Sequence, residues 1–356
     1  MDSTEIARHL PLISLQPIAD AQHVWVAMRL CAVPPPNASD LALLFDELAL
    51  ADALDGLPCV IAVTDPKDWD EACGQPQADS PVLRLPAVVA DDAQLPAMAE
   101  RLAQRPDIAR LALGVDRGES LERCQQAGFT WFAGNYPLHP APGTVSHNAA
   151  HHALALQLLT LITHEADNRD IEQLVKRDAN LSYQLLRLVN SVAFSLNHRI
   201  SSFNQAITIL GRQQLQRWLQ LLIYARPDGA GRSPLLPRAA FRAALMEALV
   251  PRERTSARDR AFMAGMFSLL DVMLNDRMAK ILASLHLSEE ISQALLERSG
   301  HLGAALRAVE IAESALQDAN DNALAAALAE AGISQATWTQ ALVQACHWAV
   351  RVSREA

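Results

Sequence analysis

Along residues 1–140, short runs of apolar and β-branched residues alternate with stretches of helical periodicity. The runs predict strands at Leu12–Ile18, Val24–Leu30, Cys59–Thr64, Val82–Leu85, Ile108–Gly114 and Phe129–Ala133. Between them Ser39–Leu54, Asp92–Arg105 and Glu119–Ala127 open on polar residues and repeat their apolar positions every three to four residues. Strand and helix in turn predict an α/β layer with parallel strands. A closed (β/α)₈ barrel takes roughly 200–250 residues, so this half is expected to be a shortened, incomplete barrel, trimmed or open.

The pattern changes at His139-Pro140-Ala141-Pro142-Gly143-Thr144, where proline and glycine end the last unit and Ser146 can cap a following helix. From there to Ala356 the chain reads as helix after helix. Apolar stripes run through Leu154, Leu158, Leu161 and Ile162, then Ile171, Leu174 and Val175, then Leu215, Trp218, Leu219 and Leu222. A further stripe is Phe262, Met266, Leu269, Leu270 and Met273. Pro227–Pro237 reads as a surface loop, and Ala323–Ala331 with Trp338–Val350 reads as a closing helical hairpin. No period of self-similarity supports a solenoid. The expected division is an α/β domain over residues 1–140 and an all-α domain over 141–356.

Composition narrows the class. At 356 residues the chain is long enough for two domains with their own cores. No segment of eighteen uncharged apolar residues predicts a membrane span. Met1-Asp2-Ser3-Thr4-Glu5 lacks the basic start of a signal peptide, and a cytoplasmic protein is expected. Cys31, Cys59, Cys73, Cys124 and Cys346 are odd in number and scattered, which argues for reduced thiols over disulfides or a structural zinc. A net charge of −10 weighs against nucleic acid as a partner. No cofactor is expected.

Within the helical half, one stretch carries a motif. Asp178 can accept from the free N–H groups of an adjoining helix start, Leu181, Leu185, Leu188 and Val189 form an apolar stripe, and Leu186 lies within the same turn sequence. Asn190 and Ser191 end that helix through competing side-chain hydrogen bonds. Ser201 or Ser202 caps the next, whose face is Phe203, Ala206, Ile207 and Leu210, and Gly211 stops it. Asn190 reads either as a buried polar group holding the turn or as a ligand contact. Over residues 178–211 this order of unlike residues resembles the core of the HDOD domain, a helical bacterial signalling module. Asp178, Leu186, Asn190, Ser191, Ser202 and Gly211 carry that resemblance.

Two segments of the first half carry a second one. Gln16-Pro17-Ile18-Ala19-Asp20 and Gly128-Phe129-Thr130-Trp131-Phe132-Ala133-Gly134-Asn135-Tyr136-Pro137 resemble the two ends of an EAL domain. That family is a barrel that hydrolyses cyclic di-GMP with divalent metal ions, and EAL and HDOD modules occur together in this order. The family's Glu-x-Leu-x-Arg aligns with Trp25-Val26-Ala27-Met28-Arg29, which keeps the Arg and loses the Glu. Its Lys-x-Asp aligns with Arg84-Leu85-Pro86, its Glu-x-Val-Glu with Leu113-Gly114-Val115-Asp116, and its Gln before Gly-Tyr with Ala133. Metal activation of water needs several converging oxygen ligands, so the resemblance implies a degenerate domain with no metal site. Arg29 alone keeps a group able to fork onto a phosphate. Its alternative is a half-exposed strand arginine paired with a carboxylate.

Because HDOD domains resemble HD-type metal phosphohydrolases, the helix Ala264–Asp271 bears on hydrolysis too. Ser268 and Leu269 stand where a metal-binding His-Asp doublet would be. His147 and His151, at i,i+4 beside His152, read as a solvated first turn or a two-ligand site. Asp65-Pro66-Lys67-Asp68-Trp69-Asp70-Glu71 reads as a helix start obeying the dipole. Arg252, Arg254, Arg258 and Arg260 alternate with Glu253 and Asp259 as an ion-paired face or a docking patch. The expectation is a noncatalytic regulatory protein, with no catalytic or metal-binding residues, acting through contact with a protein partner. The alternative is a sensor that binds cyclic di-GMP or another nucleotide at Arg29 without cutting it.

Overall fold

The computed structural model describes residues 10–69, 81–91, 95–104, 108–140, 167–176, 233–283, 287–314 and 322–355, with isolated positions at 157–158, 160–161, 217, 219–221, 224 and 285. They fall into two compact units. One joins Met1–Val145 to Ala304–Val350; the other joins Ser146–Gly303 to Arg351–Ala356.

Six strands form a closed barrel in sequence order: β1 (Leu12–Ala19), β2 (Trp25–Val33), β3 (Cys59–Val63), β4 (Val82–Val89), β5 (Leu111–Leu113) and β6 (Trp131–Phe132). β1 and β2 are an antiparallel hairpin, and β2 through β6 run parallel. β6 returns to β1 through the antiparallel pair Ala19↔Phe132. The barrel is therefore short in strand number but not open. Closure spares it two edges of unpaired backbone groups.

Alternation along the strands sorts the apolar residues into two sets. Ile18, Ala27, Val60, Leu85, Ala87, Leu111, Leu113 and Ala133, drawn from every strand or its end, cluster together on the inner face. Val63, Val88, Ala112 and Phe132 look the other way and pack with Leu95, Ala99, Leu102, Leu121 and Cys124. Those partners sit on and around α3 (Leu95–Ala103) and α4 (Gly118–Gln126). Ahead of them, the helix predicted over 39–54 breaks into three pieces. α1 (Ala38–Ala42) starts at an Asn37 capping box with Asp40, a π-helical turn covers Leu43–Glu47, and α2 (Leu50–Leu54) follows. Ala49 between them has φ 58°, a left-handed conformation that no α-helix can pass through.

The second unit includes α5 (Asn168–Lys176), α6 (Leu235–Ala248), α7 (Thr255–Phe267), α8 (Leu270–Leu274), α9 (Met278–Ala283) and α10 (Glu289–Glu297). The predicted stripe Ile171, Leu174 and Val175 is buried on α5, as are Phe262 and Met266 on α7. α6 and α7 touch closely at Gly265, where an added Cβ would stand 2.6 Å from the Arg242 carbonyl oxygen. The surface loop expected through Pro237 ends sooner, because α6 already contains Leu235, Leu236 and Pro237. Proline is tolerated there since the first-turn N–H groups have no intrahelical acceptor.

α11 (Gly300–Ser314), α12 (Ala323–Glu330) and α13 (Gln335–Glu355) follow, the last two over the segments in which the sequence predicts helices. The expected division gave these helices to the all-α domain, yet residues 304–350 cluster with the barrel. Trp338 is wholly buried and its indole N–H donates to the Ile13 carbonyl at 2.9 Å. Gln335 Nε2 likewise donates to the Leu10 carbonyl. The β1–β2 hairpin brings no helix of its own, and α13 supplies cover along it. Among the described residues no helix is long and apolar enough to cross a membrane.

Candidate functional site

The hairpin register places Gln16 opposite Arg29, Ser14 opposite Cys31 and Ile18 opposite Ala27, while Arg29 also pairs with Val60 of β3. Paired residues share a face, so Arg29, Gln16, Ser14 and Cys31 lie on the inner face with Ile18, Ala27 and Val60. Arg29 is 8% exposed. Its NH1 donates to Gln16 Oε1 at 3.0 Å, and among the described residues no carboxylate forms an ion pair with it. The sequence alternative had Arg29 half-exposed beside a carboxylate; it is buried, and among the described residues its partner is Gln16.

That arrangement is expensive. A buried guanidinium has five donors and a full charge, and leaving it unpaired costs several kcal/mol. Gln16 answers one donor, and its own Nε2 donates at 2.9 Å to the carbonyl of Glu313 on α11. Burial pushes the Cys31 thiol above its ordinary range, while the Arg29 charge pulls it back. The Ser14 hydroxyl is buried, and among the described residues the one group it influences is that thiol across the strand pair. The inner face thus holds a cation, a hydroxyl and small neighbours such as Ala27 and Ala87, a setting suited to an oxyanion.

The positions aligned with EAL metal ligands are occupied otherwise. Trp25 is buried at the start of β2, and Pro86 is buried in β4 opposite Val63. Asp116 accepts the Asn135 N–H at 2.8 Å, which fixes the turn after β6. Beside it, Gly134 leaves no room for a side chain: a Cβ would lie 2.3 Å from the Val115 carbonyl oxygen. Among the described residues no group of three or more His, Cys, Asp or Glu could hold a metal ion.

In the helical unit, Ser268 donates to the Gly265 carbonyl at 2.7 Å and accepts from Arg242 NH1 at 3.0 Å. Tyr224 donates to the Met266 carbonyl at 2.5 Å, and burial raises its phenol well above the usual range against the pull of Arg242. An arginine-centred polar core thus occupies the neighbourhood where the HD likeness would put a metal doublet. Neither the Gln16–Arg29 contact nor this Arg242 core was anticipated from sequence. The first could have been found by folding the hairpin about Asp20, whose carboxylate accepts the Gln22 and Val24 N–H groups.

Asp178, Leu186, Asn190, Ser191, Ser202 and Gly211 lie outside the described residues, as do His147, His151 and His152. Of the acid-rich run, Asp65 accepts the Lys67 N–H at 2.9 Å, and Trp69 is buried with its indole N–H on the Val63 carbonyl. Arg258 pairs with Glu247, Arg260 with Glu290, and Asp259 with Arg217, while Arg252 and Arg254 are exposed. The large hydrophobic side chains exposed among the described residues are Val89 and Leu296, too few and too far apart in the chain to make an apolar docking patch.

Residues 150–299 match the family model of the HDOD domain, and the chain carries an HDOD domain there. It is 30% identical over 257 residues to the protein named Cyclic di-GMP phosphodiesterase CdgJ of Vibrio cholerae, an alignment covering 71% of this chain and 58% of that protein. It is also 29% identical over 209 residues to the uncharacterized protein YuxH of Bacillus subtilis, covering 57% of this chain and 51% of that one. The chain thus spans little more than half the length of these curated relatives. No solved structure matches it. The sequence expectation that the chain is not an enzyme is corrected by this comparison, since a relative at 30% identity bears the name of a phosphodiesterase.

Proposed function

We propose that the chain is a signalling protein that recognises cyclic di-GMP in its barrel, with Arg29 taking a phosphate of the ligand, and that its HDOD domain carries the bound state to a protein partner. The observation behind this reading is the buried Arg29, whose one hydrogen-bond acceptor among the described residues is the neutral Gln16. A phosphate would occupy the unused donors in two parallel bonds and cancel the charge. The EAL-like segments around Gln16 and Gly134, and the name borne by the Vibrio cholerae relative, supply the nucleotide. The HDOD domain supplies the signalling context, and in this reading the protein works in the cytoplasm, with neither nucleic acid nor membrane as its partner.

The test is calorimetric titration of the full chain with cyclic di-GMP, with and without Mg²⁺, followed by chromatography of the same samples for the linear dinucleotide. Saturable binding that Arg29→Met abolishes supports the reading, and the chromatogram reports any cleavage alongside. An absence of heat at millimolar ligand would retire it. Contact with a partner is read separately, by whether a protein co-purifies with the chain and whether the ligand changes its yield.

A further inference from the structure

The β1–β2 hairpin stacks four residue pairs along the inner face: Leu12↔Val33, Ser14↔Cys31, Gln16↔Arg29 and Ile18↔Ala27. Ile18 and Ala27 are wholly buried, whereas Leu12 and Val33 are half-buried. Val33 ends β2, and Val89, which ends β4 opposite the inner-face residue Leu113, is 42% exposed. The inner face therefore opens toward the C-terminal ends of the parallel strands, the end that carries the site in larger barrels of this kind. Ser14 lies one layer nearer that opening than Arg29. Gln16 and Cys31 have their donors committed: Gln16 Nε2 bonds the Glu313 carbonyl at 2.9 Å, and the Cys31 thiol points at Gln16 Oε1 at 3.9 Å. The Ser14 hydroxyl is 1% exposed and meets no hydrogen-bond geometry of its own, the nearby thiol being the one group it influences among the described residues. A buried hydroxyl without a good partner costs free energy, and such groups ordinarily find one.

We propose that Ser14 is the second anchor of the phosphate site, its hydroxyl donating to the same phosphate that Arg29 holds. This rests on the reading of Arg29 as a phosphate contact and adds to it a second residue, on the other strand of the hairpin. Diagonal neighbours across an antiparallel pair stand about 7–8 Å apart, a span that one phosphate hydrogen-bonded at both ends can bridge. The guanidinium forks onto the two non-bridging oxygens, and each oxygen keeps a lone pair for a further donor. Ser14 supplies that donor without adding charge, and its place nearer the opening sets the phosphate between the two side chains.

Calorimetric titration of the full chain with cyclic di-GMP tests this in two variants. Ser14→Ala removes the donor and should weaken binding by about tenfold or more, a hydrogen bond to a charged group. Ser14→Cys keeps the size but donates weakly, and its affinity should fall in the same direction. Phosphorus NMR at saturating ligand supplies the readout that a merely structural role would not move. The two phosphates of free cyclic di-GMP are equivalent, and binding one of them at this site splits them into two resonances. Ser14→Ala and Arg29→Lys should displace the same one of the two. Wild-type affinity in a folded variant of either kind, while Arg29→Met abolishes binding, overturns the second anchor and leaves the Arg29 site standing. Weakened binding with both resonances unmoved, or with a different one moved by each substitution, overturns it as well. If the wild type binds no cyclic di-GMP, it is the nucleotide reading that fails, and the anchor is read with inorganic phosphate. Saturable phosphate binding that Ser14→Ala and Arg29→Met each weaken supports it, and a wild type that binds no phosphate overturns it.

Discussion

The indole nitrogen of Trp338 lies 2.9 Å from the Ile13 carbonyl oxygen, a hydrogen bond that spans 325 residues and ties α13 to β1. Trp338 is wholly buried there. Trp338→Ala removes a large side chain and its donor, for which about 3–5 kcal/mol of lost stability is expected. Trp338→Phe keeps most of the volume but leaves the Ile13 carbonyl without that donor, and about 1–3 kcal/mol is expected. Urea unfolding of the full chain checks the order. Equal and small losses would mean that α13 is not part of the barrel's core.

Gly134 makes a second prediction. Its backbone φ of 156° matters less than its surroundings, since a Cβ would meet Val115 backbone atoms at 2.3 to 2.5 Å. Backbone cannot yield as a side-chain tip can, so Gly134→Ala should destabilise by at least about 1–3 kcal/mol through overpacking. Gly332→Ala provides the contrast, because nothing lies within 4 Å of its Cβ position. There the penalty is limited to placing alanine at φ 67°, of order 1 kcal/mol. Thermal melts of the two variants compare them directly.

The charged faces are unequal. Glu247 receives both Arg217 and Arg258, at 2.9 and 3.0 Å, with only 13% of its side chain exposed. Arg260 and Glu290 meet in the open. Glu247→Ala should therefore destabilise by about 1–3 kcal/mol by leaving two half-buried guanidinium groups short of a partner. Arg260→Ala should cost about 0.5 kcal/mol or less. Denaturant midpoints at low and high salt distinguish them, with the second effect vanishing first.

Cys31, Cys59, Cys124 and Cys346 are all buried, and burial raises every one of their thiols. Cys124 is pushed to about 11 and Cys346 to about 12. An unfolded thiol titrates near about 8.5, so above that pH the folded state holds more protons than the unfolded one. The stability linked to these thiols is then present in full below about pH 8.5 and declines as pH rises toward the folded values. Stability measured from pH 7 to 10.5 should fall above about 8.5, and Cys346→Ser should not restore the pH 7 value. At pH 7.5 a thiol-specific reagent should label these four sites only after denaturant is added.

What was legible in the sequence follows the range of the interactions involved. All six strands were placed within a few residues, because strands covered on both faces write short apolar runs locally, as the almost wholly buried Leu12–Ala19 does. The 39–54 helix was misjudged where one left-handed residue, Ala49, interrupts an apolar period that runs on unbroken. Closure through Ala19↔Phe132 depends on strand tilt and shear, which leave no mark in composition. The attachment of α13 to β1 is likewise a contact between distant parts of the chain, and an amphipathic helix does not reveal which apolar surface it covers. Arg29 stood out by residue type. Its pairing with Gln16 required the register that brings the two together across the hairpin.

The most direct test of the account is a thermal-melt titration of the full chain with cyclic di-GMP, wild type against Arg29→Met. A ligand that binds only the folded state at 100 times its dissociation constant adds about 2.7 kcal/mol. The account predicts a saturable rise in Tm for the wild type and none for Arg29→Met. A wild-type Tm that stays flat to millimolar ligand, or a rise that Arg29→Met retains, would contradict it.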